Sequence, residues 1–116
     1  MAFCQLFVNS VCRQHNEYVM TIINLLKLEK FSLKHSNARK SLSAWKVVTE
    51  TAGWEKKQDV LNDFPNAKMI RNSRARFEIL HNTYRLVAEI DYDDYIVDVR
   101  FIGTHDEYDK INAETI

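Results

Sequence analysis

Residues 75–102 read ARFEILHNTYRLVAEIDYDDYIVDVRFI, with apolar side chains recurring at every second position. That period marks strands with one buried face. It predicts strands over Ala75–Leu80, Tyr84–Asp91 and Tyr95–Ile102. One face collects Phe77, Ile79, Tyr84, Leu86, Ala88, Ile90, Val97, Val99 and Phe101. The other collects Arg76, Glu78, Arg85, Glu89, Asp98 and Arg100. Keeping each face consistent sets odd residues of one strand opposite even residues of the next. Two-residue turns at His81-Asn82 and Asp93-Asp94 satisfy that parity. The register then pairs Glu78 with Arg85 and puts Arg100 one step away on the same polar face.

Upstream the pattern is helical. Pro65, the single proline, follows Asp63-Phe64 and ends that half of the chain. Residues 21–24 read as a strand. A helix over 25–35 turns Leu25, Leu28 and Phe31 inward and Lys27, Lys30 and Lys34 outward. Ser36 or Asn37 is placed to cap a second helix through Thr51, burying Leu42, Trp45 and either Val48 or Thr49. Ala52-Gly53 ends it. A short helix over 55–63 places Val60 and Leu61 inward. Trp45 and Trp54 read as core residues. Lys68, Arg71 and Arg74 read as a basic connector before these strands. An antiparallel sheet with helices on one face is an α+β layered fold.

A length of 116 residues fits one core. No apolar run approaches the roughly 18–20 residues that span a bilayer. Cys4 and Cys12 form neither a zinc-like pairing nor a disulfide framework and fit a reducing cytoplasm. No basic residue precedes the apolar patch at Phe3–Val11, which argues against a secretory signal. The zero net charge hides an asymmetry. Residues 20–85 hold thirteen Lys and Arg against six Asp and Glu, whereas residues 86–116 hold two against nine. Such a split suits a basic surface for an anionic partner, or two sets of charges interleaved by folding.

The last predicted strand runs through Gly103 into Thr104-His105-Asp106-Glu107, a capping-box pattern that opens a short helix. His105 and Tyr108, three positions apart, share a helix face. An imidazole and a phenol thus sit just past the sheet, beside arginines of its polar face. Each taken alone is accounted for as a surface or packing residue. Together they form a candidate acid–base site.

Here the chain resembles a family. Residues 100–116, RFIGTHDEYDKINAETI, are similar to the C-terminal signature of HigB-type toxins, the mRNA interferases of the RelE superfamily. Further matching segments are Tyr84–Val87, Ala67–Asn72 and Trp54–Pro65. The resemblance covers residues 20–116, read as one toxin domain. Residues 1–19 have no counterpart and are read as an N-terminal extension. The turn His81-Asn82-Thr83 departs from relatives that often carry a glycine there.

The resemblance implies a RelE-like fold, with N-terminal helices on a small, mainly antiparallel sheet and a short C-terminal helix. It implies cleavage of mRNA on the ribosome, restrained by a HigA-type helix-turn-helix antitoxin. A base would take the 2′-hydroxyl proton, the oxygen would attack the adjacent phosphate, and an acid would protonate the leaving 5′-oxygen. Cations would stabilise the charge on phosphorus, and neither metal nor cofactor is expected. His105 is the candidate acid or base, Tyr108 its partner, and Arg85 the phosphate contact. Arg100 is a further catalytic candidate, subject to ion pairing with Glu89 or Asp98. Lys68, Arg71, Arg74 and Lys110 are candidate RNA contacts. Two other classes stay open: a non-catalytic module that binds an antitoxin or RNA, and a small-molecule enzyme.

Overall fold

The computed structural model describes residues 18–116. The expected extension therefore lies, but for Tyr18 and Val19, outside the described residues, as do both cysteines. The alternating stretch forms three long strands: β3 (Arg74–Ile79), β4 (Tyr84–Asp91) and β5 (Ile96–Thr104). Two short strands flank them. β1 (Thr21–Ile23) runs parallel to β5, and β2 (Lys68–Ile70) runs antiparallel to β3. Among the described residues the sheet has the order β1-β5-β4-β3-β2. The helices are α1 (Leu26–Lys34), α2 (Arg39–Thr51), α3 (Lys57–Asp63) and α4 (His105–Tyr108). This is the α+β layered arrangement expected. Among the described residues no helix is long and apolar enough to cross a membrane.

Both hairpin registers follow from parity. Ile79 faces Tyr84, Glu78 faces Arg85, Asp91 faces Ile96 and Ile90 faces Val97. His81 and Asn82 take left-handed backbone at φ 55 and 76, as a tight two-residue hairpin requires. The core lies between the apolar sheet face and the helices. Phe77 meets the rings of Trp45, Trp54 and Phe64 at centroid distances of 5.5, 6.3 and 5.0 Å. Leu28 and Phe31 of α1 and Leu42, Trp45 and Thr49 of α2 are the inward residues. Thr49 is fully buried whereas Val48 is exposed, which decides between them. Val60 is buried on α3 and Leu61 half-buried.

Three expectations are corrected. Neither Ser36 nor Asn37 caps α2: a 3-10 turn over Ser36–Ala38 feeds directly into it. The Asn37 side chain instead accepts a hydrogen bond from the buried Tyr84 hydroxyl at 2.9 Å. The basic connector contains β2, and Asn72 and Ser73, both left-handed, turn the chain into β3. Finally, β5 carries a bulge. Ala88 faces Val99 but Val87 faces Phe101, so Arg100 is the extra residue. A bulge shifts the side-chain alternation by one. Phe101 therefore leaves the core face and joins Arg85 and Val87 on the polar face, while Ile102 takes the inward place opposite Leu86.

Candidate functional site

The site lies on the polar face, where β4 and β5 meet α4. Thr104 ends β5 and caps α4. Its hydroxyl accepts from the Glu107 N–H at 3.2 Å, and the Glu107 carboxylate accepts from the Thr104 N–H at 2.9 Å. This reciprocal pair starts a helix of only four residues at a defined angle. Gly103 makes the turn possible. A Cβ there would lie 2.6 Å from the Phe101 ring and 2.7 Å from Glu107 Oε1.

Gly103 faces Arg85 across the β4–β5 ladder. The Arg85 guanidinium lies 4.9 Å from the centre of the Tyr108 ring, a cation–π distance. The Phe101 ring stands beside Tyr108 at 6.2 Å. Although Glu78 is opposite Arg85, its carboxylate turns to Arg76 at 3.8 Å. Among the described residues Arg85 has no ion pair. A half-buried guanidinium without a carboxylate is a ready anion contact, because its planar fork matches two oxygens of a phosphate.

Tyr108 also borders a cleft of about 460 Å³ between β2 and the C-terminal segment, together with Lys68, Arg71, Ile111, Asn112 and Glu114. Lys68 and Arg71 are exposed. The segment after α4 crosses to the β2–β3 turn, where Asn72 Nδ2 donates to the Glu114 carbonyl at 2.9 Å. Two positive side chains and a phenol therefore line one open cleft, and the Arg85 guanidinium stacks on that phenol.

His105 is engaged by a different partner. Its Nε2 bonds to the backbone carbonyl of Asn82, in the β3–β4 turn. A carbonyl only accepts, so Nε2 carries the proton and Nδ1 presents the lone pair in the neutral ring. No hydrogen bond or ring contact joins His105 to Tyr108 among the described residues.

Arg100 and Arg74 are committed elsewhere. One carboxylate holds both: Glu89 Oε1 accepts from Arg100 at 2.6 Å, and Oε2 pairs with Arg74 at 3.3 Å. Arg100 Nε also lies 3.1 Å from Asp98, an ion pair without hydrogen-bond alignment. The bond to Glu89 is the main cause that raises the Arg100 pKa above its ordinary value, so the group is always charged. Arg74 is buried at the start of β3, not placed in a connector, and donates to the carbonyls of Asn72 and Ile116. Lys110 faces away from the cleft, into a groove beside α1.

Two contributors escaped the sequence reading. Phe101 is hidden by the bulge, although the adjacent apolar pair Phe101-Ile102 already breaks alternation. The Asn82 carbonyl is a backbone group and leaves no side-chain signature.

Comparison with known proteins bears on the same segments. A family model described as the HigB toxin, a RelE-like toxic component of a toxin-antitoxin system, matches residues 38–111. A search of curated proteins finds no match. The matched span runs from the start of α2 past α4, and so includes the meander, the bulge and Tyr108.

Proposed function

Because the chain belongs to the HigB family of RelE-like toxins, we propose that it is a ribosome-dependent mRNA endoribonuclease working without metal. The observation that carries this reading is the unpaired Arg85 guanidinium over Tyr108, beside a cleft lined by Lys68 and Arg71. A nuclease of this kind needs cations where phosphate charge develops and a group that moves a proton. Arg85, Lys68 and Arg71 are our candidates for the first and Tyr108 for the second.

In the proposed reaction an RNA strand enters between β2 and the C-terminal segment, with Lys68 and Arg71 on backbone phosphates. Arg85 grips the non-bridging oxygens of the scissile phosphate. The 2′-hydroxyl loses its proton to a base and attacks phosphorus, giving a cyclic phosphate, while an acid protonates the departing 5′-oxygen. Tyr108 is the better placed proton carrier, since it borders both the cleft and Arg85. His105 offers Nδ1 and is held by Asn82, which suits orienting the nucleotide or exchanging a proton. Arg100 acts at a distance, by fixing Glu89 and the bulge that presents Phe101. Arg74 holds the C-terminal segment, and we leave it out of the RNA contacts. A toxin of this family has an antitoxin partner; we place a HigA-type helix-turn-helix protein in that role and the pair in the cytoplasm.

A non-catalytic binding module on the same fold is the second reading, favoured by the lack of a hydrogen bond or ring contact between His105 and Tyr108 among the described residues. Induced expression in cells separates the two. The nuclease reading expects growth arrest with cut mRNA from the wild-type chain, and neither from Arg85→Ala. Arrest with intact mRNA would support the binding module.

A further inference from the structure

The outer edge of β5 plays no part in the proposed cleavage. β1 pairs with β5 only from Ile96 to Asp98. Residues 99–104 therefore border no further strand among the described residues. A groove of about 520 Å³ runs along this edge. Side chains from both sheet faces, Phe101 and Ile102, line it, so its floor is the edge itself. Lys27, Lys30 and Lys34 of α1 form one wall, and Lys110 and Ile111 after α4 form the other.

All four lysines are exposed, and none forms an ion pair among the described residues. The Glu107 carboxylate in the groove is already engaged by the α4 cap. Lys27 donates to the carbonyl of Arg100 at 3.2 Å, satisfying one backbone acceptor of the open edge. A nucleic acid would answer the lysines but has no use for the apolar side chains of Phe31, Phe101 and Ile102 or for a free strand edge. An extended protein segment of alternating acidic and apolar residues answers all three. Membership in a toxin-antitoxin family supplies a protein partner.

We propose that this groove receives an acidic, extended segment of the protein partner, which continues the sheet beyond β1 along residues 99–104 of β5. The proposal rests on the family assignment and not on the nuclease reading.

The test is fluorescence anisotropy with the full chain and three labelled probes. The first is a peptide of about ten residues alternating Val and Glu, long enough to cover the free edge. The second alternates Val and Lys, and the third is an oligouridine RNA of similar length. The Val/Glu peptide should bind, more weakly as salt rises, and the Val/Lys peptide should not. The double variant Lys30→Glu, Lys34→Glu, shown to be folded by circular dichroism, should lose at least about tenfold in affinity. N-methylation of alternate amides, which removes the backbone donors of a pairing strand, should also abolish binding. Unchanged affinity in the double variant, or for the methylated peptide, overturns the proposal. So does an RNA that binds more tightly than the Val/Glu peptide and loses affinity in the same variant. No arm depends on catalysis, so the outcome is separable from that of the nuclease reading.

Discussion

On one face of the sheet Phe77 touches three other rings and is 1% exposed. On the other, Arg85 leans on a single ring and meets no carboxylate. The first face is held by close-packed apolar contact, where each side chain has many neighbours. The second is held by a few polar ties: the α4 capping box, the Glu89 fork on Arg74 and Arg100, and the anchors of the C-terminal segment. A buried apolar residue is used up by the fold. An arginine left without a partner on a scaffold made rigid from behind is free to bind something else.

The contrast can be broken by mutation. Phe77→Ala opens a cavity among Trp45, Trp54 and Phe64 and should cost about 3–5 kcal/mol of stability in urea unfolding. Arg85→Ala should cost less than about 1 kcal/mol in the same assay, yet reduce mRNA cleavage by about a hundredfold or more. If it unfolded the chain as Phe77→Ala does, the division of labour between the faces would fail. Gly103→Ala sharpens the comparison at the point where structure and site meet. Its Cβ would push on Phe101 and Glu107, so we expect a loss of about 1–3 kcal/mol together with reduced activity. Thr104→Ala removes one half of the capping box and should cost about 1 kcal/mol, seen as faster amide exchange at Glu107 with the core unaffected.

The strands were legible because burial on one face writes a period of two into the sequence, and parity then set both hairpin registers. The bulge at Arg100 was not. It is a backbone event, and it moved Phe101 to the polar face. β2 was missed because three residues, Lys68, Met69 and Ile70, are too few to show a period. Its turn at Asn72-Ser73 was the readable signal, since asparagine tolerates left-handed backbone. At the site, the capping box was readable because it is a local pattern. That His105 and Tyr108 take different partners was not, because helix spacing says that two residues share a face and not which neighbours claim them. The carbonyl of Asn82 claims one and the guanidinium of Arg85 the other. Arg74 looked like its basic neighbours Lys68 and Arg71, and only burial against Glu89 and the C-terminal segment distinguishes it.

In the proposed function Arg85 serves RNA cleavage and not folding. Primer-extension mapping of cellular mRNA after brief induction tests this most directly, with wild-type and Arg85→Ala chains expressed at matched levels. Discrete new 5′ ends with the wild-type chain and none with the variant are the result predicted. Growth arrest by the wild-type chain with mRNA left intact, or the same cuts from both chains, would contradict it.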